Sequence, residues 1–279
     1  MMSDDPTGAQ RTYAATEDEV LRIEHLSINF GGLKAVDDLS FCIKSGEIFG
    51  LIGPNGAGKT TVFNCITQFY KPNEGAVLFR GLSGEMENLV GQKVHGIIRK
   101  GLVRTFQNME LINELSVIDN VLIGAHIDFK VGGFSQALRL PRAVKEERAM
   151  RERAMRALDF MGIAELADAP MGGQPYGIRK KVEMARTFLC QPKLIILDEP
   201  AAGLNDVETQ QLAQSIRDIR EKLDCTILLV EHDMRLVMNI CNRICAISFG
   251  KFLACGTPAE IRNDPKVQVA YLGEQEKED

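Results

Sequence analysis

Residues 53–61 read Gly53-Pro54-Asn55-Gly56-Ala57-Gly58-Lys59-Thr60-Thr61, which matches the glycine-rich pattern G-x-x-x-x-G-K-[ST] of a phosphate-binding loop. Glycines let successive backbone N–H groups converge on an anion, and a following helix presents the positive end of its dipole. We therefore predict that Gly53 and residues 55–61 hold the phosphates of a nucleoside triphosphate. Lys59 would bridge the outer phosphates, and the hydroxyl group of Thr60 would bind Mg2+.

The residues on either side of the loop support this interpretation. Residues 48–52 form an apolar run that is typical of a strand, and residues 61–69 can continue as a helix. Together they give the order of strand, loop and helix that the motif requires. The alternative, a chance match in a glycine-containing turn, is disfavoured by this order.

Composition limits the functional classes. The 279 residues include 33 Lys and Arg against 38 Asp and Glu, so the formal net charge is −5, and bulk electrostatics gives no support for nucleic-acid binding. No apolar run approaches the ~20 residues needed to cross a bilayer, and the acidic N-terminus lacks the features of a signal peptide. We expect a soluble, cytoplasmic protein, and any membrane role would require a partner.

The seven cysteines are scattered and lie mostly in apolar stretches, which suits core packing in a reducing compartment. Cys241 and Cys245 are four residues apart and could share one face of a helix. We interpret them as core residues and not as metal ligands.

Apolar patterning predicts an α/β fold with a mostly parallel core sheet, a flanking antiparallel β subdomain and an inserted helical subdomain. Residues 1–18 are expected to be a flexible tail, and residues 274–279 a charged tail. The single domain predicted over 19–273 comprises 19–107, the helical part 108–181, and 182–273. Strands are expected at 20–30, 39–43, 48–52, 76–79, 194–197, 226–230, 244–249 and 252–255. Helices are expected at 117–125, 143–161, 206–223, 258–262 and 267–272, with a short helix and a strand between 94 and 103.

A second group of polar residues follows two buried strands. Asp198, at the carboxyl end of a strand, can order water around Mg2+, and the adjacent Glu199 can polarise the attacking water. Gln107 is predicted to reach the metal and the water, and His232, after the next strand, to contact the terminal phosphate. Each residue alone would have an ordinary structural interpretation, so these roles depend on the phosphate loop. The same holds for Phe30, which either stacks on a nucleobase or packs in the sheet core.

Taken in order, these motifs resemble the ATP-binding subunits of ABC transporters from about residue 20 to the C-terminus. The matching parts are Phe30, the phosphate loop, Gln107, a helical lobe, a signature region at 174–178, Asp198-Glu199, a D-loop-like Ala202-Gly203-Leu204-Asn205, and His232. The resemblance implies the P-loop fold of an ABC ATPase. It also implies that Phe30 and Val36 contact ATP, that Thr60, Gln107 and Asp198 hold Mg2+, and that Glu199, His232 and Gln107 act in hydrolysis.

The resemblance also implies an assembly. Two such domains close head to tail, and each ATP lies between the phosphate loop of one chain and Tyr176 and Gly177 in the signature of the other. The implied partners are a second ABC ATPase subunit, integral membrane permease subunits and, indirectly, a substrate-binding protein, with no nucleic acid. The chain would then be a peripheral protein on the cytoplasmic face of the inner membrane.

Within the family, several segments look like those of branched-chain amino-acid (LIV-type) importers. These segments are Phe30–Val36, Val103–Gln107, Glu199–Asn205, Glu231–Met234 and the tail from Gly256 to Gly273. Two alternatives remain open: an ATPase of lipopolysaccharide export, which shares a similar tail, and a soluble ABC-type ATPase that acts on ribosomes or nucleic acid.

The signature departs from the usual Leu-Ser-Gly-Gly-Gln, since the chain has Gln174-Pro175-Tyr176-Gly177-Ile178. Pro175 has neither a hydroxyl group nor an N–H, so two donors that would face the partner's phosphate are missing. Our hypothesis is that the composite site that uses this signature is weaker than the composite site that uses this chain's phosphate loop. Asn205 stands where many members have Asp, which keeps hydrogen bonding and removes a charge.

Overall fold

The computed structural model describes residues 16–104, 111–124, 141–189 and 192–275. Gln107, most of the tail predicted over 1–18 and the end of the tail predicted over 274–279 lie outside the described residues.

The described residues form two sheets. Their strands are β1 (Glu19–Phe30), β2 (Leu33–Lys44), β3 (Ile48–Ile52), β4 (Glu74–Arg80), β5 (Met86–Asn88), β6 (Leu102–Arg104), β7 (Leu194–Asp198), β8 (Thr226–Val230), β9 (Arg243–Ser248) and β10 (Lys251–Gly256). The larger sheet has the order β10-β9-β3-β8-β7-β6, and only β10 runs antiparallel to its neighbour. The strands β3, β7 and β8 are buried along their whole length, as continuous apolar runs predict.

The smaller sheet is antiparallel, with the order β2-β1-β4-β5. In β2, Leu39, Phe41 and Ile43 are buried and alternate with more exposed residues, as predicted. The strand begins at Leu33, earlier than predicted, because the residues before Leu39 also pair with β1 across a tight turn. The short polar strand β5 was not predicted.

The described residues also form nine α-helices. They are α1 (Lys59–Ile66), α2 (Val94–Arg99), α3 (Val117–Gly124), α4 (Pro141–Phe160), α5 (Tyr176–Phe188), α6 (Asp206–Lys222), α7 (Met234–Ile240), α8 (Pro258–Asn263) and α9 (Pro265–Gln275). No helix within the described ranges combines the length and the apolar character that a membrane span needs.

The helix after the phosphate loop ends at Ile66, three residues before the predicted end, because Gln68 adopts a left-handed backbone conformation with φ 59°. In the long helix α4, Ala154 and Leu158 are buried, whereas Arg148 and Glu152 are exposed and form an ion pair. The interleaved charges therefore lie on a solvated face.

Apolar clusters cover both faces of the larger sheet. In β3, Ile48 and Ile52 belong to one cluster, and Phe49 and Leu51 to the other. The first cluster also contains Leu158 of α4, so the helical lobe shares its core with the sheet. The predicted fold class is confirmed.

Cys241 and Cys245, which could have shared a helix face, lie in different elements. Cys241 is the C-cap of α7 and Cys245 lies in β9, because α7 ends after two turns and the chain re-enters the sheet. Both are buried, Cys241 in the first apolar cluster and Cys245 in the second.

Candidate nucleotide-binding site

The carboxyl ends of three parallel strands meet at one edge of the larger sheet. The register places Leu51 of β3 beside Val230 of β8, and Val230 beside Asp198 of β7. The phosphate loop starts just beyond Leu51, His232 lies just beyond Val230, and Glu199 follows Asp198 directly. Three predicted parts of the site therefore leave the sheet along one row, which is where open α/β sheets bind ligands.

Glycine is required at both ends of the phosphate loop. A Cβ atom on Gly53 would lie 2.3 Å from a carbonyl oxygen of β9, and a Cβ atom on Gly58 would lie 2.7 Å from a carbonyl oxygen of β2. Gly58 also has a φ of 99°, which other residues rarely adopt. Because backbone atoms make these close approaches, the loop tolerates no side chain at either position.

The start of α1 is open to an anion. Its N-cap residue is Gly58, so no side chain caps the helix, and the first N–H groups of a helix lack intrahelical partners. The amine of Lys59 donates to the carbonyl oxygens of Gly53 (2.5 Å) and Pro54 (3.0 Å). Lys59 is therefore held over the loop, whereas Thr60, the predicted ligand of Mg2+, is exposed. This arrangement fits the phosphates of a nucleotide.

Asp198 is buried and forms an ion pair with Arg104 at the end of β6. Nη2 of Arg104 lies 3.2 Å from Oδ2 of Asp198, and Nη1 donates to Oδ1 of Asn64 in α1 at 2.8 Å. The guanidinium also lies 4.2 Å from the ring centroid of Phe63. Burial raises the pKa of the Asp198 carboxyl, and the charge of Arg104 opposes this rise. Arg104 therefore links α1, the helix after the phosphate loop, to Asp198 in the acidic pair Asp198-Glu199. The sequence analysis missed this role.

Glu199 lies in a turn directly after β7. Its φ is 45°, in the left-handed region that non-glycine residues adopt at a cost. Its N–H donates to the carbonyl oxygen of Val230 at 2.8 Å. The predicted catalytic residue is therefore anchored to the neighbouring strand β8, and it is half-buried.

Glu231 joins the turn after Glu199 to the turn that contains His232. Its fully buried carboxylate accepts hydrogen bonds from the N–H groups of Ala201 (2.8 Å), His232 (3.0 Å) and Asp233 (3.3 Å). The His232 side chain is mostly exposed. The sequence analysis gave Glu231 no role, although it directly follows a buried strand and begins the segment Glu231–Met234 that looks like the LIV-type importers.

The two residues predicted to contact the base region differ in exposure. Phe30 is 45% exposed and meets the ring of Tyr70 edge to face, with 5.2 Å between ring centroids. Val36 is fully buried and lies next to Gly58. Val36 therefore supports the phosphate loop and has no exposed side-chain surface to offer a nucleotide.

The signature residues Tyr176 and Gly177 form the first turn of α5. The hydroxyl group of Tyr176 donates to the carbonyl oxygen of Ala202 at 3.0 Å. The start of α5 therefore contacts the D-loop-like segment of its own chain. At the end of that segment, Asn205 caps α6 by accepting from the N–H of Glu208, a role that Asp fills equally well.

A phosphate loop between a parallel strand and a helix, with an acidic pair at the end of a nearby parallel strand, defines a P-loop nucleoside triphosphatase. A comparison of sequences narrows this class. The chain belongs to the ABC transporter family, whose sequence profile matches residues 36–202. A second profile, of branched-chain amino acid ATP-binding cassette transporters, matches residues 253–277.

Individual relatives agree with both profiles. The high-affinity branched-chain amino acid transport ATP-binding protein LivG of Salmonella typhimurium is 46% identical over 255 residues, which cover 91% of this chain and 98% of LivG. BraF of Pseudomonas aeruginosa, with the same description, is 40% identical over the same shares. A crystal structure of an ATP-binding cassette of an ABC transporter, in its ADP conformation, has a TM-score of 0.78 and 32% identity, and covers 91% of this chain and 99% of its own. The predicted family is confirmed.

Proposed function

We propose that this chain hydrolyses ATP to power the import of branched-chain amino acids through membrane permease subunits. The observation that best supports hydrolysis is the shared row of strand ends, at which Leu51, Val230 and Asp198 are neighbours. The similarity to LivG and the profile at residues 253–277 support the transported class.

In this proposal the phosphates lie over the loop at residues 53–61. The amine of Lys59 already lies at the loop, so it needs little rearrangement to exchange carbonyl oxygens for phosphate oxygens. Phe30 stacks on the base with its exposed ring. Val36 acts indirectly, by supporting Gly58.

The donor set also fits magnesium, which prefers oxygen ligands. Thr60 offers an exposed hydroxyl group at the start of α1, and Asp198 offers a carboxylate at the sheet edge. Gln107, the third predicted ligand, lies outside the described residues. When bound, the ion neutralises charge that develops on the transferred phosphate.

Glu199 and His232 carry the chemical step. Glu199 orients the attacking water and accepts its proton, from a backbone position fixed by the carbonyl oxygen of Val230. His232 contacts the terminal phosphate. The carboxylate of Glu231 fixes the backbone of both turns by accepting hydrogen bonds from three backbone N–H groups.

The partners follow from this assignment. A second ABC ATPase subunit completes each site with its signature residues Tyr176 and Gly177 or their equivalents. The pair docks on permease subunits at the cytoplasmic face of the membrane, and a substrate-binding protein acts indirectly. The net charge of −5 gives no support for a nucleic-acid partner.

The variant Glu199→Gln tests the catalytic assignment, because it replaces the carboxylate with an amide of the same shape. We expect phosphate release to fall at least ~1,000-fold while ATP binding persists and ATP traps the dimer. The control is Glu165→Gln, which makes the same change on an exposed residue of the helical lobe. Wild-type turnover in Glu199→Gln would remove Glu199 from the catalytic role.

Reconstitution with the permease subunits tests the transported class. We expect leucine, isoleucine or valine, presented by a substrate-binding protein, to stimulate ATP hydrolysis in vesicles. Stimulation by lipopolysaccharide would favour the export alternative instead. Copurification with ribosomes or DNA in place of a permease would favour the soluble ATPase.

A further inference from the structure

Tyr176 is held at its ring and at its hydroxyl group by different parts of its own chain. The hydroxyl group donates to the carbonyl oxygen of Ala202 at 3.0 Å. The ring lies against Gly203, where a Cβ atom would be 3.7 Å from Cε1 of the ring. On the side of α5, the amine of Lys180 lies 5.6 Å from the ring centroid and pairs with Glu183 at 3.2 Å.

The segment that Tyr176 contacts is the turn that contains Glu199. Within this turn the N–H of Ala202 donates to the carbonyl oxygen of Glu199 at 3.2 Å, and the N–H of Leu204 donates to the carbonyl oxygen of Ala201 at 3.0 Å. Ala202 therefore uses its N–H to close the turn on Glu199 and its carbonyl oxygen to meet Tyr176. A displacement of the ring would act directly on the peptide unit that follows Glu199 by three residues.

The contact with Ala202 also limits what else the tyrosine can do. A phenol has one proton to donate, and here that proton is directed to the carbonyl oxygen of Ala202. It cannot also donate to a phosphate of a partner's nucleotide. The hydroxyl group is therefore used within the chain, although the first turn of α5 belongs to the signature.

We infer that Tyr176 is a positioning residue that holds the turn carrying Glu199 against the start of α5. It thereby couples the part of the chain that meets a partner's nucleotide to this chain's own catalytic carboxylate. The inference rests on the proposed function for its catalytic consequence, but not for the contact itself. It gives the hydroxyl group of Tyr176 a role inside its own chain, separate from the nucleotide contact that the resemblance implies for this residue.

The variant Tyr176→Phe tests this role, because it removes the hydroxyl group and keeps the ring on Gly203. The first readout is hydrogen–deuterium exchange of the full chain, in a peptide that covers residues 199–204. We expect the exchange of these amides to be about fivefold faster, as follows from the loss of one ordinary hydrogen bond. Tyr176→Ala, which also loses the ring, should exceed Tyr176→Phe. Tyr271→Phe removes the same atom in α9 and should leave this peptide unchanged.

The second readout is the steady-state kinetics of phosphate release. A positioning role predicts that Tyr176→Phe lowers kcat about fivefold while KM for ATP stays within about twofold, since the hydroxyl group acts on Glu199 and not on ATP. The affinity for ATP is measured in Glu199→Gln, which removes hydrolysis. The double variant Tyr176→Phe with Glu199→Gln should bind ATP with the same affinity as Glu199→Gln alone.

Each outcome has a definite meaning. The inference would be overturned if Tyr176→Phe left the exchange at residues 199–204 unchanged. It would also be overturned if Tyr176→Phe left kcat unchanged when Glu199 is present but weakened the affinity for ATP in the Glu199→Gln background. Faster exchange together with no phosphate release from the wild-type protein, assembled with its partner ATPase and permease subunits, would support the contact and reject the proposed function.

Discussion

The variant Arg104→Met should reveal how strongly the acidic pair depends on a buried partner. Arg104 and Asp198 are 12% and 6% exposed in their side chains, and 3.2 Å separates Nη2 from Oδ2. Methionine keeps an apolar contact with Phe63 but removes the charge and the donor to Asn64. The carboxylate of Asp198 would then be buried without its ion-pair partner.

The size of the effect follows from this burial. Removing one partner of a buried ion pair costs about 3–5 kcal/mol, because the other charge remains uncompensated. At pH 7.5 we expect the free energy of unfolding to fall by about 3 kcal/mol. This value is at the lower end of that range, since Asp198 lies at the carboxyl end of its strand.

The loss should depend on pH in one direction. Burial already raises the pKa of Asp198, and removing Arg104 raises it further, so folding disfavours the ionised form. The part of the destabilisation that comes from the Asp198 carboxylate is therefore absent below the pKa of an unfolded Asp, about 4. It grows as the pH rises and is complete above the folded-state pKa. The difference between variant and wild type should be smaller at pH 5 than at pH 7.5.

Urea unfolding followed by circular dichroism measures this difference at both pH values. The control Arg148→Met removes an exposed arginine that pairs with Glu152 on α4, and its effect should not exceed the experimental error. The double variant Arg104→Met with Asp198→Asn should be more stable than Arg104→Met alone. A loss below about 1 kcal/mol, equal at both pH values, would refute the reasoning.

Three further variants test other parts of the site. Lys59→Ala should lower the affinity for ATP at least about tenfold in a binding titration, whereas Lys71→Ala, on an exposed turn, should bind normally. Gly53→Ala should lose both ATP binding and thermal stability, because its Cβ atom would lie 2.3 Å from the carbonyl oxygen of Ile247. The control is Gly32→Ala, which has open space around it. Equal melting temperatures for the two variants would contradict this steric account. Glu231→Gln should lower the free energy of unfolding by about 2 kcal/mol, because an amide cannot accept hydrogen bonds from all three N–H groups. The control is the exposed Glu165→Gln, and equal stability of the two variants would show that the three contacts contribute little.

The buried parallel strands could be predicted because each consists of a contiguous run of apolar residues. A strand covered on both faces needs no alternation, so Leu194–Leu197 and Thr226–Val230 were predicted nearly to the residue. The strand β5 has no such signal, since Met86-Glu87-Asn88 is short and polar and pairs only at the end of β4. The early end of α1 depends on the left-handed conformation of Gln68, which propensity does not indicate.

The family was predicted correctly, whereas the long-range contacts that support the candidate site residues were not predicted. The phosphate loop is contiguous, and its glycines have a local steric reason. Arg104 and Glu231 act on residues far along the chain, at Asp198 and Ala201. No pattern around either residue indicates its partner. Only the strand register brings these residues together, and the register is a property of the whole sheet.

The contact made by Tyr176 bears on the hypothesis that the composite site that uses this signature is weaker than the one that uses this chain's phosphate loop. In the usual signature a serine can donate its hydroxyl proton, and Pro175 cannot. The adjacent Tyr176 could have replaced that donor, but its proton goes to the carbonyl oxygen of Ala202. The N-cap Pro175 of α5 makes no side-chain cap, and the N–H groups of Ile178 and Arg179 already donate to its carbonyl oxygen. The start of α5 can therefore offer a phosphate only the backbone N–H groups of Tyr176 and Gly177. The cations nearest this helix start have partners in their own chain, Arg179 with Asn113 and Lys180 with Glu183, whereas the amine of Lys59 lies over the phosphate loop. The signature half of the composite site should therefore contribute less binding energy than the phosphate loop.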